Sequence, residues 1–175
     1  LVLGAGSTWD PEDKITQISG NYHTVGGIIG HTAGTFDGDE QGDFGDPAHF
    51  ELTDEMTIEG WFKPGSTSGL QGMVGKVLFG SSGSQEWGLS SEDSRWFFKC
   101  GNTSSNGTAK SASTFSTGKW YHLAATKDSS GVMKLYVNGV QDQLSVPTVA
   151  GDCNPTYNMV MGRRASSADF YYTGT

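Results

Sequence analysis

The sequence predicts an all-β fold, a two-sheet antiparallel β-sandwich of the jelly-roll type. The first observation is composition: glycine supplies 26 of 175 residues and aromatic residues 11%, which favours short strands and many turns. The second is that short runs of alternating apolar and polar residues recur along the chain, separated by turn residues and without helical periodicity. The third is the segment 118–143, which has the pattern of a complete β-meander.

The meander is predicted to contain three strands. Trp120–Thr126 has the tryptophan, tyrosine and leucine expected of a half-buried strand, and the turn residues 128–131 follow it. Met133–Val137 then alternates between apolar and polar side chains. Asn138-Gly139 is the strongest short-range signal for a two-residue hairpin turn, so we expect a third strand directly after it.

The remaining strands are predicted from shorter runs: Leu1–Leu3, Val25–Ile29, Met56–Phe62, Gly72–Phe79, Glu86–Ser90, Arg95–Cys100, Tyr157–Gly162 and Phe170–Tyr172. Residues 101–111 are polar and predict a loop, and most of residues 15–35 predicts irregular structure because glycines interrupt short apolar pairs. A chain of this length can bury roughly 70% of its unfolded surface, so one domain over residues 1–175 is expected. Because the first residue is leucine rather than methionine, we expect the domain to be part of a longer polypeptide.

The charge of the chain argues against some partners. Its formal net charge is −8 at pH 7, which disfavours nucleic acid, because binding to phosphates needs clustered lysine and arginine. No run approaches the ~18 apolar residues of a membrane-spanning helix, so membrane insertion is not expected. Net acidity does attract divalent cations.

The chain has two cysteines, Cys100 and Cys153. They lack the spacing of a zinc site, and they fit either one disulfide or two buried thiols. We favour the disulfide, because the rest of the chain has extracellular character. A bond that closes so long a loop stabilises by ~4 kcal/mol in the chain-entropy model.

An acidic, glycine-rich stretch at residues 37–46 is a candidate metal site. Calcium takes about six to eight oxygen ligands, and such a stretch can supply carboxylates together with backbone carbonyls. We predict Asp37, Asp39 and Asp43 as its ligands. The alternative is a solvated turn that binds no ion.

A sugar site would need an aromatic surface beside hydrogen-bonding groups. Trp61 and Glu59 alternate with the apolar residues of their predicted strand and therefore share its other face. The candidate ligand-binding residues are Trp61, Glu59, Trp87 and Tyr136. The alternative is that these aromatic side chains pack in the interior, as most do in sandwiches, and we expect Trp120 and His122 to lie there.

Five segments follow one another in a characteristic order: Phe36-Asp37-Gly38, residues 56–64, residues 118–124, residues 135–139 and Met161-Gly162-Arg163. This succession resembles the concanavalin A-like lectin/glucanase superfamily, specifically its laminin-G-like jelly-roll domains. The resemblance covers most of the chain from Phe36 onward. It implies the β-sandwich fold, whereas function is left open, because the superfamily hosts lectins, glycoside hydrolases, adhesion modules and structural spacers. It also implies that such domains bind calcium near sheet edges in some cases.

The resemblance does not extend to the catalytic motif of the superfamily's glucanases. Those enzymes carry Glu-x-Asp-x-x-Glu on one strand, so that alternate carboxylates share one face and flank the scissile bond. No such run occurs here, and a predicted turn separates Glu86 from Glu92. We therefore expect no enzymatic activity.

Members of this family usually continue past Gly162-Arg163 into a closing strand, and no such segment occurs before Thr175. We therefore expect an open sheet edge. Either a continuation of the chain fills it, or another subunit donates a strand to it.

Together these features predict a non-catalytic recognition or adhesion module on an extracellular surface, cellular or viral. A glycan or a surface protein would be its partner. The alternative is a structural or decoration subunit of a larger assembly, such as a virion or a surface filament. A glycoside hydrolase is the weaker alternative.

Overall fold

A computed structural model describes residues 2–4, 17–19, 23–26, 32–46, 48–52, 55–76, 86–153, 156–163 and 171–175. In chain order its strands are β1 (Val2–Gly4), β2 (Gln17–Ser19), β3 (His23–Gly26), β4 (Thr32–Asp37), β5 (Gln41–Asp43), β6 (Met56–Phe62), β7 (Leu70–Lys76), β8 (Glu86–Glu92), β9 (Arg95–Gly101), β10 (Asn106–Lys110), β11 (Tyr121–Lys127), β12 (Met133–Val137), β13 (Val140–Gln141), β14 (Val160–Met161) and β15 (Thr173–Gly174). A single turn of 3₁₀ helix, Ala48–Phe50, lies between β5 and β6. None of these described segments is a helix long and apolar enough to cross a membrane.

The strands form antiparallel sheets, which confirms the predicted fold class. One sheet has five strands in the order β1-β6-β11-β12-β13, and a second has seven in the order β10-β9-β8-β7-β14-β5-β2. A smaller sheet has the order β15-β4-β3. Every strand pair is antiparallel. The two large sheets form the β-sandwich.

The hydrophobic core collects the apolar side chains that alternate along strands of both large sheets. The five-stranded sheet contributes buried Met56, Ile58, Leu123 and Leu135, and the seven-stranded sheet contributes buried Trp87, Leu89, Trp96 and Phe98. Full burial of one such side chain stabilises the fold by about 1.5–3 kcal/mol. The intervening residues of β6 and β11 therefore face away from the core.

The meander forms as the sequence predicts. Strands β11 and β12 pair from Leu123 opposite Val137 to Lys127 opposite Met133. Asn138 and Gly139 join β12 to β13 with φ angles of 52° and 80°, both in the left-handed region that a type I′ hairpin turn requires.

Four of the described strands, β2, β4, β5 and β10, lie where the sequence predicted loop, irregular structure or turn. Residues 106–110 were assigned to a polar loop, but they form β10 and pair with β9 in continuous register. The acidic stretch was read as one turn, but strands β4 and β5 flank a short turn at residues 38–40. Polar, glycine-rich segments have weak strand propensity, and here pairing to neighbouring strands overrides it.

Strands form near both ends of the chain, as predicted, but their bounds are shifted. Val2–Gly4 pairs with β6. At the other end, Thr175 donates to and accepts from the backbone of Lys63, at 2.9 and 2.6 Å, and Gly65 donates to the Thr173 carbonyl at 2.7 Å. The predicted strand at 170–172 is displaced to Thr173–Gly174, and residue 170 lies outside the described residues. Among the described strands β1 is the outermost of the five-stranded sheet, and β15 pairs with β4 rather than with β1, so the open edge beside the N-terminal strand stays a prediction.

Cys100 and Cys153 form a disulfide, and both are fully buried. Cys100 lies on the core face of β9, opposite Trp87 of β8 and Gly107 of β10. The bond therefore ties the segment that precedes β14 to β9, the strand next to the β10 edge of the seven-stranded sheet.

Candidate functional site

The outer face of the five-stranded sheet carries an exposed aromatic group. We call it the aromatic face and define it by Glu59 and Trp61 of β6, His122 and Ala124 of β11, and Tyr136 of β12. These residues alternate with buried ones along each strand, so all of them point away from the core. Trp61, the penultimate residue of β6, is 41% exposed.

Strand register brings these side chains together. Trp61 is directly opposite His122, and Ala124 lies between Glu59 on one side and Tyr136 on the other. The Trp61 and His122 ring centroids are 5.2 Å apart with the ring planes tilted by 55°. His122 Nε2 lies 3.7 Å from Glu59 Oε2. The Trp61 indole, the His122 imidazole and the Glu59 carboxylate therefore lie next to one another on this face.

The chemistry of this arrangement suits a ring-shaped polar ligand. The indole offers an apolar surface, and the neighbouring groups offer hydrogen-bond donors and acceptors. Both neighbours are accessible, since the His122 side chain is 27% exposed and that of Glu59 is 46% exposed. Ala124 has only a methyl group, so the surface is recessed at Ala124 and is bordered by the longer side chains of the aromatic face.

Two sequence assignments around this face need correction. Trp87 was a candidate ligand-binding residue, but it is fully buried on the core face of β8, opposite Cys100, and is not accessible to a ligand. His122 was expected in the interior, but it lies on the outer face. Alternation could have placed it, because the buried Leu123 and Ala125 require their neighbours His122 and Ala124 to point outward.

The acidic stretch contains a group of carboxylates, but not the one that the sequence predicted. Asp37, Asp39 and Glu40 each offer a carboxylate oxygen, and these oxygens lie within 4.8 Å of one another. Asp43 instead accepts a hydrogen bond from the Gly45 N–H at 2.8 Å, and the Asn158 amide donates to both of its oxygens at 3.1 Å. Asp43 is therefore not part of that group, and metal binding by the acidic stretch stays a prediction.

The last acid of the stretch, Asp46, is engaged by a lysine. Lys76 is fully buried, and its ammonium donates to Glu51 Oε1 at 2.7 Å and to Asp46 Oδ1. Burial by itself would raise the pKa of Asp46, but hydrogen bonds with Lys76 and Glu51 and the charge of Lys76 outweigh it, so this pKa lies below its ordinary value. Asp46 therefore neutralises a buried charge.

Comparison with known proteins agrees with this architecture. Residues 31–175 match a laminin-G family model described as the concanavalin A-like lectin/glucanases superfamily. The chain belongs to that superfamily. No curated protein sequence matches it significantly.

Solved structures with the same fold come from several sources. Domain 4 of AbnA, a GH43 extracellular arabinanase from Geobacillus stearothermophilus, in complex with arabinotriose, is 19% identical with a TM-score of 0.69, over 99% of this chain and 77% of that one. Domains LG4-5 of the mouse laminin α1 chain are 19% identical with a TM-score of 0.60, over 80% of this chain and 38% of that one. The Ruminococcus gnavus IT-sialidase CBM40 bound to α2,3 sialyllactose is 17% identical with a TM-score of 0.58, over 80% and 83%. At these identities the likeness establishes the fold.

Proposed function

We propose that this domain is a non-catalytic carbohydrate-binding module that holds an oligosaccharide on the aromatic face. The observation that carries the proposal is Trp61, which is 41% exposed near the end of β6 beside the His122 ring. The indole matters because it lies beside the His122 ring and the accessible Glu59 carboxylate, which together give the apolar surface and polar groups of a ligand site. A sugar ring stacks on the indole, while Glu59, His122 and Tyr136 bind its hydroxyl groups.

Similar domains support the ligand class. Domain 4 of the arabinanase was solved with arabinotriose and the CBM40 domain with sialyllactose, so this sandwich accommodates glycans in other proteins. A non-catalytic role agrees with the position of Glu86, which is fully buried and paired with Lys99 rather than set opposite a second carboxylate on an open surface. The disulfide suits an oxidising, extracellular setting.

Self-association is the second candidate function, and one observation favours it. Three exposed apolar side chains, Val140, Leu144 and Val146, lie on or directly after the edge strand β13. An exposed edge beside apolar side chains can pair with another copy. Sedimentation velocity separates the two functions, because a monomer that binds glycans fits recognition, whereas a polymer that binds none fits a structural subunit.

The proposal is tested on a glycan array with one variant that fills the recess at Ala124 and one matched control variant. Ala124→Gln places a long side chain between Glu59 and Tyr136 without removing any recognition group, and we expect it to abolish binding by blocking the ligand. Thr126→Gln is the matched control: it lies on the same face of the same strand, but its cross-strand partners are Thr57 and Lys134. It should bind as the unmodified protein does. An array on which the unmodified protein binds no glycan, or on which both variants bind equally, would contradict the proposal.

A further inference from the structure

We propose that Asn106 is an N-glycosylation site and that the neighbouring acceptor sequence at Asn102 is not used. The chain carries the two acceptor sequences close together, Asn102-Thr103-Ser104 and Asn106-Gly107-Thr108. The sequence alone makes them equivalent, whereas the structure leaves only one of the two asparagines accessible. The proposal does not rest on carbohydrate binding by the aromatic face. It requires passage through a secretory pathway, which the disulfide of this domain suits.

Asn102 has a structural role that leaves its amide inaccessible. It is only 9% exposed, and its Nδ2 donates to the Ala150 carbonyl at 2.7 Å. Its Oδ1 accepts the backbone N–H groups of Ser104 at 2.9 Å and of Ser105 at 2.8 Å. The side chain therefore closes the turn between β9 and β10 and ties it to the segment before Cys153. A sugar on Nδ2 would have to displace that segment, so the folded domain has no space for one.

Asn106 lies in a different environment, because it is the exposed first residue of β10. Burial alternates along this strand: Gly107 and Ala109 are buried, whereas Asn106 and Thr108 are exposed. Gly107 packs so closely on the interior that a Cβ there would lie 2.5 Å from Met133 Sδ. The side chains of Asn106 and Thr108 therefore both point outward from the seven-stranded sheet, where a sugar can project into solvent.

The modification joins the Asn106 amide to an oligosaccharide carried on a lipid diphosphate. Nδ2 forms a bond to C1 of the first sugar and loses one proton, while the C1–O bond to the diphosphate breaks and its electron pair leaves with the diphosphate. The acceptor sequence supplies the Thr108 hydroxyl two residues further on. Because β10 belongs to the seven-stranded sheet and the aromatic face to the five-stranded one, the glycan would leave the aromatic face open.

The test is expression of the whole chain behind a secretory signal in a eukaryotic cell line. The intact mass of the secreted protein is measured before and after treatment with peptide-N-glycosidase. We expect a single N-glycan on each chain, which the enzyme removes. Trypsin releases residues 100–110 as one peptide that contains both acceptor sequences. Electron-transfer fragmentation keeps the sugar on its residue and should place it on Asn106.

Matched variants at exposed positions assign the sugar to one acceptor sequence. Thr108→Ala removes the second sequence without altering Asn106, so the secreted protein should carry no glycan. Thr108→Ser restores the hydroxyl and should restore the glycan, which separates loss of the acceptor from loss of the fold. Ser104→Ala removes the first sequence and should leave the glycan in place. Secretion of the unmodified protein without a glycan, a glycan on Asn102, or a glycan that persists in Thr108→Ala would overturn the proposal.

Discussion

Replacing Cys100 and Cys153 together by alanine is expected to lower the free energy of unfolding by about 4 kcal/mol. The two residues are 53 positions apart, so the disulfide removes a large loop-closure entropy from the unfolded chain. Both sulfur atoms are fully buried, and their loss also leaves a small cavity beside Trp87. Urea unfolding of the variant measures the change, and its Tm should fall by roughly 8–16 °C.

Reduced, unmodified protein is the control for the cavity, because it keeps both sulfur atoms but lacks the bond. It should lose most of the same stability. A loss below about 1 kcal/mol on reduction would show that the cross-link does not stabilise this fold.

Replacing Trp61 by alanine is expected to weaken binding to the array ligand by about 30-fold or more. An aromatic side chain at the centre of a binding surface typically contributes about 2 kcal/mol or more, which corresponds to that ratio. Stability should change by less than about 0.5 kcal/mol, because the Trp61 side chain lies on the outer face and leaves the core intact. Isothermal titration calorimetry measures the affinity, and urea unfolding measures the stability.

Two further variants make this result specific. Trp61→Phe keeps an aromatic surface and should keep part of the affinity. Leu144→Ala removes an exposed apolar side chain away from the aromatic face and should bind normally. If Leu144→Ala weakens binding as much as Trp61→Ala does, general surface hydrophobicity rather than the aromatic face is responsible.

Strands with one buried and one open face could be predicted from the sequence. Met56–Phe62 and Met133–Val137 have the predicted bounds, because their polar and apolar residues alternate with the pleat. The same alternation placed Trp61, Glu59 and Tyr136 on one outer face. The strand register that places Trp61 opposite His122 could not be predicted, because it depends on pairing between strands far apart in the chain.

Strand β8 shows where alternation carries no information. Residues 86–91 are all buried, so both faces of this strand are covered. Trp87 and Ser90 are therefore equally enclosed although they lie on opposite faces, and the sequence could not tell a core tryptophan from a ligand-binding one.

The grouping of the acidic side chains could not be predicted for a related reason. Spacing along the chain made Asp37, Asp39 and Asp43 equivalent, but β5 pairs with β14 and brings Asp43 beside Asn158. The turn at residues 38–40 instead folds Glu40 back onto the Asp37 N–H. Both contacts arise from tertiary structure, which composition and spacing do not encode.

The most direct test of the proposal that the aromatic face binds carbohydrate is the tryptophan indole N–H region of a ¹⁵N NMR spectrum during titration with the array ligand. The chain has five tryptophans, of which Trp61 is exposed and Trp87 and Trp96 are buried in the core. We predict that the Trp61 indole signal shifts most, together with the backbone amides of His122, Ala124 and Tyr136, while the Trp87 and Trp96 indole signals stay in place. Shifts concentrated on β8 and β9, with the Trp61 signal unmoved at saturation, would contradict the account.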